Sequence, residues 1–338
     1  MCMTPALSIT IPTYGRASYL RRCLTCVLPQ VSEKPVEVVV IDNASPDETP
    51  QVISEFAGHY PNLRTYRNDA NLGYAGNQAG CIEHAAGNYI AFLGDDDVYQ
   101  PGAVDAILRV IEQKEYAFVG INYSGFIHNP KRPVTTHVAP VEDREFSRAF
   151  DIINHPSVGH YSGFVFNARL ARAALADILQ RHKLLDFERF RGILSELSVR
   201  TTVATPLPSY FIGQPFVGAC MPLEVDYDSL QHICMDYYEW WLGNYMKGLI
   251  NDADLAYRRQ VVMGWLPKAL YRNACYFDSR RLSGLREQLD SWFGSDPEYR
   301  QRVLPVLDRL KYAWVRLALR GVCECYKRAK PVYWRLRD

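Results

Sequence analysis

No stretch of this chain approaches the roughly 20 apolar residues needed to cross a bilayer, so membrane contact is expected to be peripheral. Net charge is nearly absent as well, at +1 over 338 residues, which leaves no overall field to select nucleic acid. The first sixteen residues lack the basic start and apolar run of a secretion signal, and the expected location is the cytoplasm. Cysteine is not scarce, but a cysteine framework is missing: Cys23-x-x-Cys26 and Cys323-x-Cys325 have no second pair at zinc-site spacing. Reduced thiols are expected. Internal repeats and low-complexity tracts are also lacking. With 48% apolar and 22% charged residues, the composition is that of an ordinary globular protein of one large domain with appendages, or of two domains.

The first half alternates β-prone and helical patterns. Leu7-Ser8-Ile9-Thr10-Ile11 stops at Pro12, and residues 36–41 are nearly all Val and Ile, as suits parallel strands buried on both faces. Between them, Leu20, Cys23, Leu24 and Val27 recur at helical spacing before Pro29. The alternation repeats. Ser45 or Asp47 can cap a helix through Phe56, residues 63–66 form a short strand, and residues 74–86 form a helix before a strand at Tyr89. Pro101 opens a further helix with an apolar stripe of Val104, Ile107, Leu108 and Ile111, and residues 117–121 look like another strand. The expected fold is α/β, a mostly parallel sheet flanked by helices.

Ligands of such sheets bind beyond the carboxyl ends of the strands. Three polar clusters fall there: Pro12-Thr13-Tyr14-Gly15-Arg16, Asp42-Asn43-Ala44-Ser45, and Asp95-Asp96-Asp97. The last follows the apolar run 89–93 and Gly94. Three adjacent carboxylates repel by several kcal/mol per close pair at an effective dielectric of about 20, so something cationic should offset them. Magnesium or manganese carrying a diphosphate does so, taking a few carboxylates and filling its other positions with phosphate oxygens and water. Taken alone, an Asp triplet is a solvated acidic turn, and Thr13, Ser45 or Asp42 are caps and turns. Three clusters converging on one sheet edge favour a site. The Gly73-x-x-Gly76-x-x-x-Gly80 spacing does not follow a strand as a dinucleotide fingerprint requires.

These stretches, together with Asn68-Asp69-Ala70-Asn71-Leu72-Gly73, resemble the nucleotide-sugar-dependent glycosyltransferases of family 2, with the Rossmann-like GT-A fold, over about residues 5–125. Within that family the chain looks most like bacterial O-antigen and surface-polysaccharide transferases, including abequosyltransferase-like members. The resemblance implies roles. Pro12, Thr13, Tyr14 and Arg16 would line the nucleotide base and ribose, Asp42 with Asn43 would meet the base, and Asn71 and Gly73 would form a turn close to the donor. Asp95 would meet ribose or sugar hydroxyls and share the metal site, and Asp97 would hold the Mn2+ or Mg2+ that bridges the diphosphate. Asp96 would be a neighbour in either role.

An inverting transferase needs a general base for the acceptor hydroxyl. Family members usually supply it from a Glu-Asp signature in the second half of the domain, and this chain departs from that signature. Asp186, Glu188 and Glu196, flanking a helix over residues 187–199, are the candidates, with Asp186 first; all three also suit a solvated helix surface. His155 and His160, in a turn-rich stretch, read as ordinary loop histidines, although a neutral imidazole can serve as a further metal ligand.

The expected division is a catalytic domain over 1–215 and a helical region over 216–338. In residues 302–338, ten Lys or Arg stand against Asp308, Glu324 and Asp338, a balance of about +7. Val303, Leu307, Leu310, Trp314 and Leu317 share one helical face, Arg309, Arg316 and Arg320 another. A basic amphipathic helix with aromatics suits an anionic membrane surface; a helix packed on its own domain with a solvated basic face suits the pattern equally. The expected function is metal-dependent transfer of a sugar from a nucleotide-diphosphate sugar to a glycan or polyprenyl-diphosphate-linked acceptor. A catalytically inactive sugar-nucleotide-binding scaffold is the alternative from another class. A nucleotidyltransferase fits less well, because no Gly- and Lys-rich phosphate loop follows the first strand.

Overall fold

The computed structural model describes residues 4–127, 129–131, 141–155, 157–181, 193–203, 205–221, 236–246, 248, 250–273, 277–313 and 315–319. The chain forms two compact units, residues 1–221 and 222–338. Position 215 lies inside the last strand of the first unit, which runs on to Cys220.

Strands β1 (Leu7–Thr13), β2 (Val36–Asp42), β3 (Leu63–Arg67) and β4 (Tyr89–Phe92) run parallel in the order β3-β2-β1-β4. Every residue of β2 and β4 is buried, as expected of strands covered on both faces. Register sets up the site. Thr13 pairs with Asp42 and Asp42 with Arg67, so the ends of three strands stand side by side. Beyond β4 the sheet becomes mixed. β8 (Phe164–Asn167) lies antiparallel between β4 and β6 (Phe118–Phe126), and β6 pairs in parallel with β9 (Ser209–Cys220). Two short strands, β5 (Val98–Tyr99) and β7 (Arg144–Phe146), complete it against β9. The expected parallel sheet thus holds for the first half of the strand order, and the chain returning through β8 makes the remainder mixed.

Helices cover both faces. On one lie α1 (Ala17–Val31), α2 (Thr49–Ala57) and α4 (Ala103–Gln113), with Leu20, Leu24, Val27, Val104 and Ile107 in the core. On the other lie α3 (Gly73–His84), α5 (Ala168–Arg181) and α6 (Ile193–Val203), with Ile82, Phe92, Phe166, Ile178 and Leu197. Pro29, expected to follow α1, falls inside its last turn, where it forgoes one backbone hydrogen bond.

The second unit contains α7 (Asp236–Met246), α8 (Asp252–Asn273), α9 (Ser279–Phe293) and α10 (Leu304–Leu310), around a core that includes Met263, Leu270, Phe293, Val303, Leu307 and Leu310. Asp278 caps α9 by accepting from the Arg281 N–H at 2.7 Å. The expected basic helix after Arg302 is interrupted beyond Leu310. Arg316 turns inward there, 8% exposed, donating to the carbonyls of Leu310 and Lys311. Leu317 stands exposed, and residues 320–338 lie outside the described residues. No helix among the described residues is long and apolar enough to cross a membrane.

Candidate active site

The turn after β1 is held from beneath. Gly15 takes the left-handed conformation at φ 64°, where a side chain would be strained, and its N–H donates to Ser45 Oγ at 2.9 Å. The Arg16 N–H donates to Thr49 Oγ1 at 3.2 Å, which aims the guanidinium back over the sheet edge. Asp42 is 2% exposed; it accepts from the Ser45 N–H at 2.9 Å and from Arg67. Asn43 donates to Asn71 Oδ1 at 2.8 Å and to the Gly73 carbonyl at 3.2 Å, while its Oδ1 accepts from Asn68 and the Leu72 N–H. Asn43 therefore braces the Asn-x-Gly turn, where Gly73 sits at φ 72°. Tyr14 stands 46% exposed beside this edge.

At the end of β4 the three carboxylates divide by partner. Asp95 accepts from Thr13 Oγ1 at 2.7 Å and from Arg16 at 3.1 Å. Asp96 accepts from the same Arg16 Nη1 at 2.8 Å, and its carbonyl accepts from Arg22 at 2.7 Å. Asp97 is reached from the opposite flank by His160 Nε2 at 2.6 Å, Ser162 Oγ and the Cys220 N–H at 2.7 Å. Burial pushes the Asp95 carboxyl up to about 6 against the pull of Arg16. Burial and neighbouring Asp97 raise Asp96. Asp97 goes the other way, because the His160 charge and hydrogen bonds overcome burial and hold it below the usual range.

Gly94 keeps this cluster open. A Cβ there would come within 3.0 Å of Asp97 Oδ2, 3.1 Å of Asp96 Oδ1 and 3.4 Å of Ser162 Oγ. Three oxygens thus converge on a spot that any side chain would fill. Among the described residues no three His, Cys, Asp or Glu side chains complete a protein-only metal cage. Carboxylates with one imidazole nevertheless fit Mg2+ or Mn2+, which need only one or two protein carboxylates when phosphates and water supply the rest.

Thr13, Arg16, Asp95, Asp96 and Asp97 are brought together, with Asp42, Asn43, Asn71 and Gly73 in the adjoining turn. Asp186 and Glu188 lie outside the described residues. Glu196 is 3% exposed on α6 and bonds Arg200 one turn on, at 2.8 Å and 2.5 Å, while Arg200 also pairs with Asp177. Its charge is committed to that network.

Sequence reasoning missed His160 as a partner of the triplet, together with Ser162, Arg22 and Gly94. His160 precedes and Ser162 lies within a 3-10 turn, Tyr161–Gly163, whose glycine is required because a Cβ would lie 2.4 Å from the Ile121 carbonyl. Only the turn-rich character of that stretch hinted at a loop reaching the site. His155 does pack as a structural residue, its ring 4.3 Å from that of Phe211.

Residues 8–172 match the family model described as Glycosyl transferase family 2. An uncharacterized protein of Mycobacterium tuberculosis is 36% identical over 94 residues, 28% of this chain and 27% of that one. The putative glycosyltransferase EpsH of Bacillus subtilis is 26% identical over 137 residues, 40% of this chain and 39% of EpsH. The chain thus spans well under half the length of either relative. Among solved structures, S. aureus TarS 1–349 superposes with TM-score 0.55 at 17% identity, covering 98% of this chain and 92% of that one, and has also been solved with UDP and with UDP-GlcNAc. The mannosyltransferase PcManGT from Pyrobaculum calidifontis, in complex with GDP-Man and Mn2+, gives TM-score 0.51 at 15% identity, covering 98% and 87%. Sheet order, the acidic end of β4 and the family match agree: residues 8–172 belong to glycosyltransferase family 2, and the first unit has the GT-A fold.

Proposed function

We propose that the protein transfers a hexosyl or deoxyhexosyl group from a nucleotide-diphosphate sugar to a glycan or polyprenyl-diphosphate-linked glycan, in the synthesis of a bacterial surface polysaccharide such as O-antigen. The observation that carries this reading is the triplet beyond β4, in which Asp95 and Asp97 are buried, with Thr13 and Arg16 on one flank and His160 and Ser162 on the other. Complexes of structural neighbours with UDP, UDP-GlcNAc and GDP-Man support the donor class.

In this reading Tyr14 stacks on the base and Thr13 and Arg16 bond the nucleotide. Asp97, with Asp95 and Asp96 beside it, holds Mn2+ or Mg2+. When bound, the ion acts as a Lewis acid on the diphosphate leaving group. His160 and Ser162 orient Asp97, as partners of a metal-binding carboxylate commonly do. Asp186 is the first candidate for the base that takes the acceptor proton, followed by Glu188; Glu196 is already engaged by Arg200. Catalysis belongs to the first unit, and residues 300–338 contribute contact with the inner face of the membrane.

The test is release of free nucleoside diphosphate from a panel of nucleotide sugars, with and without manganese. Manganese-dependent release supports the transferase. Binding of nucleotide sugar without release, with acceptor supplied as membrane lipid extract, supports the inactive scaffold instead.

A further inference from the structure

The peptide plane between Asp96 and Asp97 is pinned at both ends. A trans peptide group is rigid, so its carbonyl and its N–H turn together and point in opposite directions. The Asp97 N–H donates to the Gly94 carbonyl at 3.0 Å, closing the turn after β4. The Asp96 carbonyl, on the other side of the plane, accepts from Arg22 Nη2 of α1 at 2.7 Å. Fixing that plane fixes the direction in which the Asp97 side chain leaves the backbone.

Arg22 is itself held in place. Its Cζ lies 4.8 Å from the Phe126 ring centroid and 5.3 Å from that of Tyr19. Phe126, 1% exposed at the end of β6, pairs with Cys220 of β9. The Cys220 N–H in turn donates to Asp97 Oδ1 at 2.7 Å. One guanidinium thus joins α1, the acidic turn and the paired ends of β6 and β9, and both routes from it lead to Asp97.

Neither stability nor charge accounts for this placement. Arg22 Nε is buried without an acceptor among the described residues, and a buried donor left unsatisfied costs free energy. A guanidinium close to a divalent ion repels it. Arg16 meets the carboxylates of Asp95 and Asp96 directly, whereas Arg22 gives Nη2 to a backbone carbonyl and leaves the carboxylate oxygens to other partners.

We propose that Arg22 is a positioning residue for the divalent ion that accompanies the sugar donor: by holding the Asp96 carbonyl it sets the direction of the Asp97 carboxylate, through geometry and against its own charge. This rests on the transferase reading above. Geometry and charge predict opposite signs. Removing a nearby positive charge tightens a bound cation, whereas removing the anchor of its ligand weakens it.

The test is calorimetric titration of the full chain with UDP, GDP and dTDP, each in EDTA and in Mn2+. Wild type should bind at least one of them roughly tenfold tighter with Mn2+, and Arg22→Met should bring that ratio close to one with the EDTA affinity unchanged within about twofold. Retained affinity in EDTA also reports a folded variant. Arg22→Lys keeps the charge but lacks the planar fork, and should lower the ratio about threefold; it decides alone if the Met variant loses binding in EDTA. Arg21→Met makes the same charge change one residue earlier on α1, where Arg21 pairs with Glu55 at the surface, and should leave the ratio unaltered. A ratio that holds or rises in the Arg22 variants overturns the proposal, as does an equal fall in Arg21→Met. A wild type that binds no diphosphate, or gains nothing from Mn2+, defeats the metal-dependent transferase reading itself, and this proposal with it.

Discussion

His160 Nε2 lies 2.6 Å from Asp97 Oδ2, tying the loop before β8 to the acidic end of β4 across 63 residues of chain. Burial alone would lower the imidazole, yet Asp97 outweighs it and raises His160 above its ordinary value. The pair keeps one carboxylate of the triplet ionised while its two neighbours are pushed toward the protonated state. His160→Ala should therefore weaken manganese binding about 10- to 100-fold without unfolding the protein, as loss of a partner that orients a metal ligand commonly does. Manganese titration of diphosphate release checks this, and an unchanged half-saturating concentration would count against the assignment.

Burial makes the ionised Asp95 carboxylate a cost to stability. Its carboxyl has a folded value near 6, above the ordinary value of about 4, so the folded state holds the proton more tightly. The cost is absent below about pH 4, grows as pH rises through the interval up to the folded value, and is complete above it. In EDTA, Asp95→Asn should stabilise the protein by about 3 kcal/mol near ~pH 7.5, with the gain largely gone near ~pH 4. Urea unfolding at both pH values measures it; a gain that does not depend on pH would exclude this origin.

Two glycines separate stability from activity. Gly163→Ala drives a Cβ against the Ile121 carbonyl and should cost about 1–3 kcal/mol in thermal unfolding. Gly94→Ala introduces its methyl among the oxygens of Asp96, Asp97 and Ser162, so it should abolish turnover with a smaller change in melting temperature. Equal stability losses with activity retained in both would show that the open spot at Gly94 has no role.

Asp186→Asn should remove turnover and leave donor binding intact, whereas Glu196→Gln should act through stability. Glu196 is buried against Arg200, and breaking a buried pair costs about 3 kcal/mol. Steady-state rates beside melting curves distinguish the two, and full activity in Asp186→Asn would remove it as the base.

Membrane association is best tested with a chain ending at Leu319. Cutting at residue 300 would also remove Val303, Leu307 and Leu310 from the core of the second unit. The shortened chain should pellet less with anionic liposomes at low salt, each lost Lys or Arg near the surface being worth about 1 kcal/mol. Equal pelleting would end the idea.

What the sequence determined alone is what short-range physics dictates. Continuous Val and Ile runs select buried parallel strands, helical spacing selects the faces of α1 and α4, and strand ends put polar residues on one rim. Thr13, Arg16 and the three aspartates were legible because each directly follows a recognisable strand. Tertiary structure alone decided the rest. Asp97 finds partners at residues 160, 162 and 220, the last separated by 123 residues, and no local periodicity encodes a contact made by a chain returning antiparallel through β8. Arg316 illustrates the same limit: by spacing it belongs to a basic outer face, but a break after Leu310 exposes carbonyls that its guanidinium turns inward to satisfy.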